Sequence, residues 1–509
     1  METDKITSSY RKNLGEVQTI VNVEMQNDGE ENIVKVLSSG ANAYVDEVEM
    51  LNGEAHYMGG VVFDLLFVDE TGANHVLSEK MELDGKIEND QINPLMKPIY
   101  SVETLDTKVT NLDDGKAKLT ATIAIKLDAV QTDEIEEVKP NDDNIQLNKE
   151  TISVYNIVAS GTKTFEIDEE YDTKMRGSKV LLSSAHIDLK NTFDGTGYFT
   201  VDGNLFVNSL LEVQEDETKH LKNFMQTIAF KEEIEDELIQ RGDEVFAFAF
   251  VRPQDLNVSV ISAEDKDESI KVNAIITVKY VVQRLVQQEV NTDAFSMTNK
   301  TNIKIGTFLT AKPQKIERFL ANIEGQSVLD EEEPRIAKIC AITNEHLLIA
   351  NTVLQNSELT IEGVAYMSVL YLTDDDVPVL NSVNMEIPFA NKFAVDESFD
   401  GNLYVISEIL DVEAKAKKGK EINVNLDICF LAYSYDTENN AVLKDIELTE
   451  VWPKNEYSLE MYVAPKGSTL WDISKHLLAS QETLLAQNPE LVFPLEDSQT
   501  VVHFRQNIL

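Results

Sequence analysis

The chain has 509 residues, too many for one hydrophobic core, and its length predicts about three to five domains. Apolar residues make up 42% and charged residues 26%, a globular composition that argues against disorder. With 44 Lys+Arg against 90 Asp+Glu the formal net charge is -46, and no basic patch offsets it, so nucleic acid and anionic lipid surfaces are excluded as charge-driven partners.

That acidity fits solubility, or docking onto a basic partner. Two cysteines, Cys340 and Cys429, are too few for a disulfide framework and predict a reducing compartment. The opening stretch METDKITSSYRKNLGEVQTI lacks the apolar core of a secretory signal. No run reaches the ~18 apolar residues of a membrane helix. The chain is therefore expected in the cytosol, with no direct membrane insertion.

In chain order, an N-terminal leader (1–32) carries one alternating stretch, EVQTIVNVEM (16–25). Three repeats then follow, at 33–138, 150–293 and 300–450. Each has a Gly-led strand: Gly60 in GVVFDLLFVDETG, Gly203 in GNLFVNSLLEVQEDE and Gly363 in GVAYMSVLYLTDDD. A methionine follows in the next strand, Met81, Met225 and Met385, at separations of 21, 22 and 22. Each repeat closes on a second signature: KAKLTATIAIKLDAV (116–130), SIKVNAIITVKYVVQ (269–283) and EINVNLDICFLAYSY (421–435). Their apolar residues recur with a period of two, as in Leu119, Ala121, Ile123, Ile125 and Leu127, which predicts long half-buried strands. Acidic turns such as DETG, EDE and DDD suit antiparallel hairpins. The leading glycines mark bulges or close backbone approach, or serve as simple turn residues. A sandwich and a partly open barrel would give the same alternation.

Beyond VWPKNEYSLE the period changes to about 3.6. Leu470, Ile473, Ser474 and Leu477 share one helical face, and Leu484, Leu485 and Asn488 share another. Gly467 and Ser468 supply the expected turn and N-cap of the first helix, Ser480 caps the second, and Pro489 follows its end. Val501, Val502 and Phe504 form a last strand that pairs with the one containing Tyr462, giving a βααβ unit over 459–509.

The seven histidines are scattered, without H-E-x-x-H or C-x-x-C spacing. Cys340 lies six residues before His346, and both read as parts of a strand and its turn. The acidic runs DDD (374–376) and DEEE (330–333) lack EF-hand spacing. No enzymatic activity, metal or cofactor is expected.

The segment GSTLWDISKHLLASQETLLAQNPEL, with Tyr462 before it, is similar to the LysM family. The match rests on Tyr462, Gly467, Thr469, Leu470, Trp471, Ile473, Leu484, Leu485, Asn488 and Pro489. The resemblance implies a groove between the loops 467–469 and 488–490. It nominates Gly467, Ser468, Thr469, Leu470, Trp471, Ile473, Asn488 and Pro489 as partner-binding residues. Trp471, about 100° off the buried face, is either an exposed interface anchor or the residue that packs the module against the preceding β-domain.

Three acidic β-repeats followed by one such module resemble the clostridial SPOCS-domain proteins of spore coat assembly. The resemblance implies a mainly β fold: three antiparallel β-sandwich-like repeats and a small α+β LysM domain. It further implies a non-catalytic morphogenetic scaffold of the mother-cell cytosol, assembled on the forespore surface. Its partners would be stage IV sporulation protein A, bound chiefly through the LysM domain, and other coat proteins. Ser468, Leu478 and Ser498 stand where the LysM family usually has Asp, Gly and Gly, which fits a groove turned from glycan to protein. The alternative is binding of peptidoglycan through its N-acetylglucosamine units.

Overall fold

A computed structural model describes residues 2–26, 32–111, 115–173, 175–215, 218–262, 268–376, 378–397, 399–453 and 458–505. The chain is mainly β, built from small antiparallel sheets and two short helices. Repeat 1 holds β1 (Glu2–Met25), β2 (Lys35–Met50), β3 (Glu54–Val68), β4 (Asn74–Glu88), β5 (Lys97–Asn111) and β6 (Ala117–Lys139). Repeat 2 holds β7 (Ile145–Asp172), β8 (Lys179–Asp194), β9 (Tyr198–Glu215), β10 (Thr218–Glu235), β11 (Glu244–Ile261) and β12 (Ser269–Ser296). Repeat 3 holds β13 (Asn299–Ala311), β14 (Lys315–Val328), β15 (Ile336–Gln355), β16 (Glu358–Thr373), β17 (Leu380–Ala394), β18 (Asn402–Lys417), β19 (Glu421–Tyr435) and β20 (Thr437–Val451).

Each repeat folds as two three-stranded sheets with the same strand order. The closing signatures form the central strands β6, β12 and β19 of one sheet, and the Gly-led segments form the central strands β3, β9 and β16 of the other. Their inward faces share one core. In repeat 1, Val61, Phe63, Leu65 and Phe67 of β3 meet Leu119, Ala121, Ile123 and Ile125 of β6. This is a sandwich, and alternation along the strands is what aims both sets inward. Residues 2–25 are not a separate leader: β1 pairs with β6 along its length, from Glu2 opposite Lys139 to Met25 opposite Ala117.

The repeat glycine of the first copy is Gly59, not Gly60. Gly59 faces Val45, Gly203 faces Leu189 and Gly363 faces Ile349, and each partner strand bulges at that point. A Cβ at these positions would run into the carbonyl oxygens of Tyr44, Asp188 and Leu348, so close backbone approach demands glycine. The methionines are not equivalent. Met81 faces Val61, Met225 faces Asn208 and Met385 faces Met367, at different distances along the strand from the glycine.

Seven residues beyond each glycine stands a leucine, Leu66, Leu210 and Leu370, and the three meet in one buried cluster. Leu37, Leu181 and Ala341 join them as a second triplet. The sandwiches therefore pack around a pseudo-threefold axis through the outer faces of their second sheets. This burial on both faces explains the consecutive apolar residues Leu65–Leu66–Phe67 and Val369–Leu370–Tyr371, where a half-buried strand would alternate.

The long strands run on past the sandwiches as two-stranded ribbons. Residues 2–13 pair with 128–139, 145–157 with 283–296, and 299–311 with 437–451. A bulge at Asn13/Gly15 marks the exit in repeat 1, where Gly15 takes φ +121°. In repeat 3, Pro313, which has no N–H, falls in the break between β13 and β14. The three ribbons bundle around Ile6, Ile135, Val154, Val290, Phe308 and Val442, two residues from each repeat.

Where ribbons and sandwiches join lies Arg11 of β1, its side chain 8% exposed. Its Nε donates to Asp128 Oδ2 at 2.7 Å. Its guanidinium sits 4.4 Å from the ring centre of Tyr404, 4.6 Å from Tyr435 and 5.3 Å from Phe246. One cation thus touches all three repeats. Arg11→Met would leave the Asp128 carboxylate, 7% exposed, without its cation. The expected loss is ~3–5 kcal/mol, read as a lower urea midpoint, and adding Asp128→Asn should restore a large part of it.

Candidate functional site

The terminal module is a βααβ unit of β21 (Leu459–Ala464), α1 (Leu470–Leu477), α2 (Gln481–Gln487) and β22 (Gln499–Phe504). Its strands pair antiparallel, with Leu459 opposite Phe504 and Ala464 opposite Gln499. It has its own core of Ala464, Ile473, Leu477, Ala479, Leu484, Leu495 and Val501. The N-cap of α1 is Thr469 rather than Ser468, because Asp472 three residues on completes a capping box. Ser480 caps α2 as expected from the sequence. Leu478 ends α1 in the left-handed conformation at φ 50°, which costs a non-glycine residue about 1 kcal/mol.

The nominated residues divide into two groups. Gly467, Thr469 and Pro489 are exposed, and Ser468 and Leu470 are half-buried. The first loop is tied down through its backbone: Gly467 N donates to Leu495 O at 2.8 Å, and Ser468 O accepts from Leu495 N at 3.1 Å. Ile473 is fully buried in the module core and cannot touch a partner.

Asn488, 2% exposed, is withdrawn as well. Its Nδ2 donates to Leu484 O at 2.9 Å and Val502 O at 2.8 Å, and its Oδ1 accepts from Val502 N at 2.8 Å. Three of the four hydrogen-bonding sites of its amide go into joining α2 to β22.

Trp471 takes the second of its two roles. Its indole Nε1 donates to Asp293 Oδ2 at 2.9 Å, and its ring packs on Phe295 with centroids 5.2 Å apart. Lys475, one helical turn on, reaches both Asp293 oxygens at 2.9 and 2.6 Å. Trp471, Ile473 and Asn488 are therefore docking or core residues, not groove residues. Asp293 and Phe295 lie 178 and 176 positions before Trp471, on the ribbon end of β12, and no local pattern in the sequence marks them.

A second concave region lies on the axis between the sandwiches. A cavity of about 650 Å³ is lined by Tyr44, Tyr100, Phe248, Phe250 and Tyr404, with Glu408 at its wall. An adjoining one of about 440 Å³ adds His186, Glu345 and His346. Burial pushes the Glu408 carboxyl up to about 8, with nearby Asp188 adding to it, and holds His186 down to about 4. Burial also raises Glu345, which accepts from Asn208 Nδ2 at 2.9 Å. At neutral pH the His186 ring and the Glu408 carboxyl are therefore mostly uncharged.

Both cysteines are free thiols. Burial pushes Cys429 up to about 11 and also raises Cys340, so both stay protonated. His346 stacks on Tyr366, with ring centres 5.0 Å apart. Among the described residues no group of three or more His, Cys, Asp or Glu side chains is placed to hold a metal ion. No described helix is long and apolar enough to cross a membrane.

Two outcomes follow from this geometry. Trp471→Ala should free the module from the body: amide exchange along Asn291–Ser296 rises by about tenfold or more, while Ile473 and Leu484 stay protected. Between pH 4.5 and about 8 the unfolded chain has lost the Glu408 proton and the folded chain keeps it, so rising pH favours unfolding. Glu408→Gln should flatten the fall of the urea midpoint across that window. Comparison with family models, with curated proteins and with solved structures finds no match.

Proposed function

We propose that the chain is a non-catalytic spore-coat scaffold and adaptor, a SPOCS-type body carrying a LysM-type head. It is recruited to the forespore surface, from the mother-cell cytosol, by stage IV sporulation protein A. One ribbon holds the head in place, and the three sandwiches offer surface to other coat proteins.

The observation that carries this reading is how the head is mounted. A unit with its own core is fixed to one ribbon through Trp471 and Lys475. The indole that could anchor a partner is spent on the chain itself, and so is Asn488 of the second loop. That weakens the glycan alternative, which relies on the groove between the two loops. The charge of -46 favours a partner with a basic docking surface.

Co-sedimentation with polymerised stage IV sporulation protein A tests the proposal. The full chain is expected in the pellet, undisturbed by N-acetylglucosamine oligomers, and a chain ending at Pro453 is expected in the supernatant. A full chain that stays in the supernatant, or one that pellets with purified peptidoglycan instead, would count against the adaptor reading.

A further inference from the structure

Apart from Thr500, which faces Val463, the outward face of the β21–β22 ribbon is apolar. Tyr462, Ala464 and Val501 turn inward onto the module core, so strand alternation turns Leu459, Met461, Val463, Val502 and Phe504 outward. Leu459 is 47% exposed, Met461 68%, Val463 66% and Phe504 54%. Register sets Leu459 beside Phe504 and Met461 beside Val502, which makes the apolar side chains contiguous. The module docks on the body through α1, leaving this face open. A two-stranded sheet with one covered face ordinarily presents polar residues on the other.

We propose that this face, rather than the loop groove, is where the head receives its partner, and that the occupant is an amphipathic helix with an apolar stripe and Lys/Arg flanks. The inference rests on reading the module as a protein-binding head. Strands of six residues span roughly 20 Å, the length of a helix of about 13 residues. Two strands about 4.8 Å apart, with their side chains, match the width of one helix lying along them. Met461, unbranched and near the middle, adapts to the ridges of such a stripe.

Charge selects the flanks. Glu496 and Asp497, both exposed, stand just ahead of β22. A second copy of this chain would bring another charge of -46 against the first, which disfavours self-pairing. A basic helix meets the opposite condition.

The test titrates the full chain into a fluorescent synthetic helix of leucine and lysine, beside a peptide of the same composition with its apolar stripe scrambled. The amphipathic peptide should bind 1:1 and more tightly than the scrambled one, with added salt weakening both. Met461→Glu with Phe504→Glu should weaken it at least about tenfold, while Met461→Leu and Leu485→Glu, an acid placed instead on α2, leave it unchanged. An unaltered circular dichroism melt establishes that the double variant is folded.

Equal binding of both peptides, or binding indifferent to Met461→Glu, overturns the proposal. So does a concentration-dependent dimer that Met461→Glu abolishes, since the occupant is then a second copy. No coat protein enters this titration. A failed co-sedimentation with stage IV sporulation protein A therefore leaves it standing, and its own failure beside a successful co-sedimentation moves the docking site elsewhere on the head.

Discussion

The body is held in one arrangement by the junction around Arg11. Asp128 fixes the guanidinium from within repeat 1, and rings from repeats 2 and 3 cover its faces. A buried ion pair adds little net stability against a well-packed apolar substitute, so its value lies in selecting one geometry. Other cross-repeat contacts repeat the logic, such as Arg318 of repeat 3, whose Nη2 reaches both Asp188 oxygens of repeat 2 at 2.8 and 2.7 Å.

Apolar packing then adds bulk to what the charges specify. The two axial triplets and the ribbon bundle bury apolar side chains from every repeat. Because the ribbons diverge in sequence while keeping one shape, the body has threefold form without threefold chemistry. Only one ribbon end carries both Asp293 and Phe295, and the head sits there. The place where the head docks on a pseudo-symmetric body follows from that difference.

Much of this was legible in the residues. The period of two in β6, β12 and β19 predicted their course, and the capping and helix signals predicted both short helices of the head. The glycines left close backbone approach and a simple turn both open, and in the first copy the residue in close approach is Gly59, one before Gly60. The equal spacing to the methionines disguised hairpins of unequal length. Ser468 has the side chain of a cap, but Asp472, three residues beyond Thr469, completes the box with Thr469 instead. The fate of Trp471 was open in the sequence, since helical geometry locates an indole and cannot name a partner 178 positions away. Asn488 is a different case: a motif residue next to a loop is turned inward to join α2 to β22.

The pairing of β1 with β6 also bears on how the chain leaves the ribosome. Residues 26–116 separate the two strands, so β1 must wait for the last strand of its repeat before it has its pairing neighbour. During that interval it is an unpaired β-edge of 24 residues, the kind of segment that recruits other nascent chains. Its composition counters this. Asp4, Lys5, Arg11, Lys12, Glu16 and Glu24 break it into short apolar pieces, and Gly15 interrupts its pleat. Arg11, which later joins the three repeats, is thus among the residues that keep the newborn strand apart from other nascent chains.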